Sequence, residues 1–148
     1  MADLKKYEGI IPAFYACYDA EGGINAEAVR KLTRWFIEKG VQGVYVGGSS
    51  GECIYQSVAE RKLVLENVMA EGKGELTVIA HVACNNTADS RELAAHAESL
   101  GVDAIAAIPP STSSCLPTPS PSTGTTSPMP LPTPTSSSTT SPSWLVSL

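Results

Sequence analysis

Four apolar stretches alternate along the chain with longer segments in which apolar residues recur every three or four positions. Short, near-continuous apolar runs are typical of strands buried on both faces, and the longer spacing is typical of helices with one buried face. We therefore predict strands at 9–15, 41–46, 76–83 and 102–108. Strands that alternate with helices in this way form a parallel sheet covered by helices.

Residues that begin or end helices flank each of the three intervening segments. Side chains that cap a helix start, a capping box of the form S-x-x-E, and glycines that end helices all occur at suitable positions. The predicted boundary residues are, in chain order, Asn25 and Gly40, Ser57 with Glu60 (the helix running to about residue 71), and Thr87 or Ser90 with Gly101. Residues 1–110 thus predict the order β-α-β-α-β-α-β.

The most informative motif, Gly47-Gly48-Ser49-Ser50-Gly51-Glu52, follows the second predicted strand. Glycines permit a sharp turn and a close approach to a ligand. Successive backbone N–H groups in such a turn form an anion-binding concavity, and two hydroxyls add donors. The motif predicts a site for a small carboxylate, and the alternative is a strand-to-helix turn without a ligand. Because sites in parallel barrels lie at the C-terminal ends of strands, we expect Tyr18, Asn85 and Pro109 at the same edge.

Neither histidine is predicted to take part in chemistry. His81 lies in the middle of the third predicted strand, which indicates a core histidine with satisfied hydrogen bonds, and His96 lies on a helix, which indicates a solvated side chain. No spacing typical of metal ligands is present. Glu52 is assigned to the structure of the turn.

The composition narrows the class of protein. A net charge of -5 and a pI near 4.9 argue against nucleic acid as a partner, because nucleic-acid-binding surfaces are basic. No apolar run approaches the roughly 18 residues of a membrane span, and no signal-peptide pattern opens the chain. The four cysteines form no C-x-x-C pair, which indicates free thiols and a cytoplasmic location.

The composition changes abruptly after Pro110. All charged residues lie within 1–110, and 29 of the 38 residues in 111–148 are Ser, Thr or Pro. Such a segment cannot bury enough apolar surface to offset the entropy lost on ordering it. We therefore predict two regions, an ordered α/β region at 1–110 and a disordered tail at 111–148. The chain is too short for a full (β/α)8 barrel, which needs about 250 residues.

Four segments between Tyr7 and Pro110 resemble the N-acetylneuraminate lyase family, class I aldolases related to dihydrodipicolinate synthase. They are YEGIIPAFYACYD, KGVQGVYVGGSSGE, LTVIAHVACNNTADS and LGVDAIAAIPP. The resemblance implies the N-terminal half of a (β/α)8 TIM barrel, from a protein that is usually a homotetramer. The implied reaction is the reversible cleavage of N-acetylneuraminate to N-acetylmannosamine and pyruvate. It proceeds through a lysine Schiff base, on a small-molecule substrate, with no metal or organic cofactor.

The resemblance also assigns roles to the glycine-rich motif. In the family the GxxGE element binds the carboxylate of pyruvate, so Gly48, Ser49 and Ser50 are the implied substrate-binding residues. Ser49 further resembles the proton-relay serine beside a catalytic tyrosine. That tyrosine, in a YNIP motif, and the Schiff-base lysine belong to later strands in the family. Residues 111–148 contain neither lysine nor tyrosine, so the chain as given is expected to be inactive.

Two other interpretations stay open. The chain can be a non-enzymatic half barrel that serves binding or assembly and carries a flexible arm, or it can derive from another pyruvate-dependent aldolase of the superfamily. A half barrel exposes the inner face of its sheet and both edge strands, so self-association or aggregation is expected.

The main codons of Ser, Thr and Pro all carry C in the second position. A gene rich in third-position C therefore yields runs of these residues when it is read one base late, so the composition of the tail suggests a frameshift. Residues 132–148 can be encoded so that the preceding frame reads PNTDFIIYNIPQLAGVAL, which contains YNIP. We therefore predict that 111–148 result from a one-base frameshift in a lyase gene. Sequencing the gene from the Ile108 codon past the stop codon should reveal lyase-like sequence in the neighbouring frame. An intact frame with no such sequence overlapping or following it would refute the prediction.

Overall fold

Three parallel strands form the centre of the structure. A computed structural model of the chain describes residues 4–108. The sheet has the order β1-β2-β3, with β1 at Gly43–Val46, β2 at Thr77–His81 and β3 at Ala104–Ala106. Both pairs are parallel, with Val44 opposite Val78 and Ala80 opposite Ile105. The strand type and order agree with the prediction, although each strand is shorter than its apolar run.

Three helices alternate with the strands and begin where the sequence predicts. They are α1 at Ala26–Glu38, α2 at Val58–Gly72 and α3 at Thr87–Leu100. Asn25 caps α1 by accepting the Ala28 N–H at 2.9 Å, and Ser57 with Glu60 completes the capping box of α2. The cap of α3 is Asn86, which accepts the Asp89 N–H at 2.8 Å. The sequence prediction named Thr87 or Ser90 as the start of α3 and overlooked this asparagine.

The core lies between the helices and one face of the sheet. Side chains alternate across a strand, so Val44 and Val46 share a face with Val78 and Ala80, and all four are at most 3% exposed. They pack with apolar residues of the helices, among them Val29, Phe36, Val64, Leu65, Val68, Leu93 and Ala97. In turn, α1 packs against α2 and α2 against α3. Burial of each such valine or leucine contributes roughly 1.5–3 kcal/mol, which fixes the helical layer on the strands.

The prediction of a buried strand at 9–15 is wrong. The segment runs beside β1 and makes one parallel bridge, Ala13 to Tyr45, with the Phe14 N–H donating to the Tyr45 carbonyl at 2.8 Å. The next ladder bond would need an N–H on residue 12, which is proline and has none. Phe14 is 1% exposed, whereas Ile10 is 72% exposed, so the apolar run is only partly a core element.

The far edge of the sheet is poorly covered. Within residues 4–108, β3 pairs with β2 alone, and Ile105 is 55% exposed on the face that the helices cover elsewhere. The predicted disordered tail, 111–148, lies outside the described residues. In the described part of the chain, no helix has the length and apolar character needed to cross a membrane.

Candidate functional site

The glycine-rich motif forms a tight turn at the C-terminal end of β1. Gly47 has a φ of +73°, a conformation that favours glycine. Gly48 is constrained differently, because a Cβ there would lie 2.6 Å from the Tyr45 ring. A short 3-10 turn follows at Ser49–Gly51, and Glu52 ends it with a φ of +55°. Two glycines with separate requirements and a left-handed residue 52 thus fix the path of the turn.

Two serine hydroxyls stand on this turn without partners in the described chain. The turn is held by the Gly51 N–H, which donates to the Gly48 carbonyl at 3.0 Å, and by the Glu52 N–H, which donates to the Ser49 carbonyl at 3.0 Å. Ser49 and Ser50 are exposed. Among the residues that the structure describes, neither hydroxyl donates or accepts a hydrogen bond. These donors are free to bind a ligand.

A cleft of about 440 Å³ opens beside the turn. Its walls come from the loop after β1, the start of α2, the end of β2 with the loop after it, and the start of α3. Their members include Ser49, Cys53, Gln56, Arg61, His81, Cys84, Asn85 and Asp89. The structure thus brings Ser49 and the predicted edge residue Asn85 to one cavity, while Gly48 and Ser50 lie outside its lining. Pro109 lies outside the described residues.

Tyr18 reaches the same edge through Gln56. The Gln56 Nε2 donates to the Gly51 carbonyl at 3.1 Å and lies 3.3 Å from the Tyr18 hydroxyl. Tyr18 itself is bridged to Ile24 in a small antiparallel turn before α1. The predicted convergence of strand ends is therefore present, but a glutamine that the sequence analysis did not single out makes the connection.

A buried arginine is the main site residue that the sequence analysis missed. Arg61 on α2 is 6% exposed. Its Nη2 donates to the His81 carbonyl at 2.7 Å, and its Nη1 donates to the Ala83 carbonyl at 2.9 Å and lies 3.0 Å from the Cys84 Sγ. The signal was available in the spacing, because position 61 falls in the apolar stripe formed by residues 58, 65 and 68. A charged residue in such a stripe needs a buried partner.

His81 links the end of β2 to the turn. The residue is 8% exposed, and its Nδ1 lies 2.9 Å from the Gly47 carbonyl oxygen. Because a carbonyl only accepts, Nδ1 must carry the hydrogen. The prediction of a core histidine is correct. The hydrogen bonds of the ring are only partly satisfied, since Nε2 is buried without a hydrogen-bond partner within residues 4–108. The residue also ends the strand rather than lying at its middle.

The electrostatics of the site keep His81 neutral. Burial lowers the pKa of the imidazole, the Gly47 carbonyl raises it, and the Arg61 cation lowers it again, with a net fall below 6.5. Burial likewise raises the pKa of the Tyr45 phenol, whose ring centroid lies 6.1 Å from that of His81. Neither group is ionised near neutral pH, so Arg61 is the charged group among these three.

His96 corrects a second expectation. It is not a solvated helix residue, since its side chain is only 17% exposed and its Nε2 lies 2.8 Å from Glu66 Oε1. This contact joins α3 to α2 on the side of the helices. His96 does not line the cleft.

None of the lysines at 4–108 lines the cleft. Lys39 and Lys73 follow the ends of α1 and α2. Lys62 lies within α2, where its Nζ is 2.5 Å from Glu92 Oε1. In the described part of the chain, no cluster of three His, Cys, Asp or Glu side chains is placed to hold a metal ion. The cleft lining therefore includes the partnerless Ser49 hydroxyl and one buried guanidinium, and no amine from residues 4–108.

Solved structures of aldolases share this architecture. The Ruminococcus gnavus sialic acid aldolase, in a form described as a catalytic lysine mutant, matches with a TM-score of 0.73 and 73% identity over 74% of this chain and 36% of that chain. The Proteus mirabilis N-acetylneuraminate lyase matches with a TM-score of 0.67 and 38% identity over 69% of this chain and 35% of that chain. A dihydrodipicolinate synthase matches with a TM-score of 0.64 and 31% identity.

Curated sequences give the same result. The N-acetylneuraminate lyase of Mediterraneibacter gnavus is 73% identical over 110 residues, which cover 74% of this chain and 35% of that protein. The N-acetylneuraminate lyase of Enterobacter sp. is 42% identical over 106 residues, or 72% of this chain and 36% of that protein. The chain spans about a third of the length of these relatives.

The architecture, the turn after β1 and these similarities all concern the same part of the chain, and the family model described as the dihydrodipicolinate synthetase family matches it over residues 6–113. The chain belongs to the dihydrodipicolinate synthetase family, with homologues among the N-acetylneuraminate lyases.

Proposed function

We propose that the described residues form the carboxylate-binding part of a sialic acid aldolase site, in which the turn at Gly48, Ser49 and Ser50 binds the carboxylate of pyruvate. The observation that carries this proposal is the pair of exposed serine hydroxyls without partners in the described chain, on a turn at the C-terminal end of a parallel strand. Hydrogen bonds to a charged group contribute about 1.5–3 kcal/mol each. Several on one turn would hold the carboxylate in a fixed pose.

The proposed reaction is the reversible cleavage of N-acetylneuraminate to N-acetylmannosamine and pyruvate. A lysine amine condenses with the substrate ketone, water leaves, and the resulting iminium accepts the electron pair released when the carbon–carbon bond breaks. The turn would hold the carboxylate next to that carbon. Ser49 would pass protons between a tyrosine hydroxyl and the substrate oxygen, as the resemblance to the N-acetylneuraminate lyases implies. The free thiols of Cys17, Cys53 and Cys84 support a cytoplasmic location.

The described residues supply only part of this machinery. The cleft contains no lysine from residues 4–108, and no lysine follows Lys73 in the sequence. We therefore propose that this chain, as given, recognises the carboxylate without forming the Schiff base. The same observation favours a second candidate function, a half barrel that binds a keto acid or assembles with another chain without catalysis. A third, another pyruvate-dependent aldolase activity, rests on the likeness to a dihydrodipicolinate synthase.

Removal of either serine hydroxyl should weaken pyruvate binding. We expect Ser49→Ala and Ser50→Ala each to lower the affinity about tenfold, because each loses one hydrogen bond to a charged group worth about 1.5 kcal/mol. Binding is measured by NMR titration of the chain with pyruvate. Ser99→Ala is the matched control, since Ser99 is an exposed serine on α3 that bonds the His96 carbonyl. Equal affinities for all four proteins would exclude the turn as the binding site.

The second prediction concerns the covalent step. Borohydride treatment of this chain with pyruvate should yield no covalent adduct, because no amine lies at the cleft in the described residues. Intact-protein mass spectrometry provides the measurement, and a full-length N-acetylneuraminate lyase treated in parallel provides the positive control. An adduct on this chain would show that it retains the Schiff-base amine and would overturn the proposed inactivity.

The third prediction concerns assembly. A homotetramer is the proposed state of the parent protein, and self-association is proposed for this chain, because β3 leaves one edge unpaired within the described residues and Ile105 is 55% exposed. Sedimentation velocity should show the average mass rising with concentration in the micromolar range. A single monomeric species at all concentrations would contradict this expectation.

A further inference from the structure

The buried guanidinium of Arg61 has no acidic partner in the described chain. Arg61 is 6% exposed, and none of the ion pairs among residues 4–108 includes it. Fully buried arginines are rare unless they are paired with a carboxylate, because removal of a charge from water is costly. A positive charge that stays uncompensated inside a protein points to an anion that binds close by.

The hydrogen bonds of Arg61 solvate the cation without neutralising it. Its Nη atoms donate to the carbonyls of His81 at 2.7 Å and Ala83 at 2.9 Å, and both acceptors are neutral dipoles. Its Nε is buried without a hydrogen-bond partner among the residues described. The guanidinium therefore keeps its positive charge without an ion-pair partner within residues 4–108.

The guanidinium lies close to Gly47, at the start of the loop that carries the turn. A Cβ built on Gly47 would lie 3.8 Å from Nη2 and 3.9 Å from Nε of Arg61. Gly47 precedes the turn, and Ser49 lines the same cleft as Arg61. The cation therefore lies next to the residue that leads into the turn and borders the cleft that Ser49 lines.

We propose that Arg61 is the fixed positive charge that makes the Ser49–Gly51 turn selective for a carboxylate, acting through space as a positioning residue rather than by touching the ligand. The inference rests on the proposed function of the turn. It adds a full positive charge to the hydroxyl and N–H donors of the turn, which favour anions but also bind neutral oxygens.

His81 is excluded as the source of this charge by its surroundings. Its Nδ1–H is used by the Gly47 carbonyl, and the neighbouring Arg61 cation and burial both disfavour a second charge on the ring. The other titratable groups that line the cleft or face the ring are Tyr45 on β1, Asp89 on α3, and Cys53 and Cys84 in the loops. None of these is a cation in any protonation state.

The test compares pyruvate with pyruvamide, its neutral amide, as ligands of the chain in NMR titrations. The wild type should bind pyruvate about tenfold more tightly than pyruvamide, because a fixed positive charge near the turn attracts the carboxylate and not the amide. Arg61→Met should remove this preference by weakening pyruvate alone. Arg61→Lys should keep it while lowering thermal stability, because lysine retains the charge but loses the two-pronged contact with the β2 carbonyls.

The outcomes separate the two proposals. A wild type that binds pyruvate no better than pyruvamide would overturn the proposed function and this inference with it. A wild type with the preference and a folded Arg61→Met variant that retains it would leave the turn as the binding site and refute the role of Arg61. Equal losses for both ligands in both variants would show that Arg61 is structural only, and would also refute the inference.

The pH dependence of the wild type tests the same point without a variant. If Arg61 supplies the charge, pyruvate affinity should stay constant from about pH 6 to pH 8, because arginine does not titrate there. If a protonated His81 supplied it, affinity would fall as pH rises through the same range. The control is pyruvamide, whose affinity should not change with pH in either case.

Discussion

The contact between one guanidinium and the carbonyl groups at the end of β2 is the interaction on which the site depends. Arg61 holds the carbonyls of His81 and Ala83, and His81 in turn holds the carbonyl of Gly47. This chain of bonds joins α2 to the C-terminal ends of β1 and β2 at one edge of the sheet. The position of the serine turn therefore follows from a buried polar network, whereas the position of the helices follows from the apolar layer beneath them.

The two layers of the structure impose different demands on the sequence. The helical face of the sheet needs only apolar side chains of suitable size, such as Val44 and Val78, and tolerates exchange among them. The C-terminal edge needs specific chemistry, since a buried arginine must find acceptors and a buried histidine must donate from a defined nitrogen. The edge can bind a charged ligand because its polar groups are held in place before the ligand arrives.

Local features of the fold were predictable from the sequence, and contacts across the fold were not. The caps at Asn25 and Ser57 and the glycines after α1 and α3 interact with residues only a few positions away, so the sequence alone reveals them. The pairing of Arg61 with the end of β2 joins residues about 20 positions apart, and no local pattern encodes it. The prediction of a buried strand at 9–15 was wrong for a reason that the sequence already shows, because Pro12 removes an N–H donor from the strand pairing.

The contact between Gly48 and the Tyr45 ring has a consequence for the evolution of the turn. A Cβ at position 48 would lie 2.6 Å from that ring, so the size of the tyrosine at position 45 requires glycine at position 48. Substitutions at 45 and 48 should therefore be correlated in the descendants of this sequence. A smaller residue at 45 would open room for a side chain at 48, and with it a route to a turn of different shape and a ligand of different size.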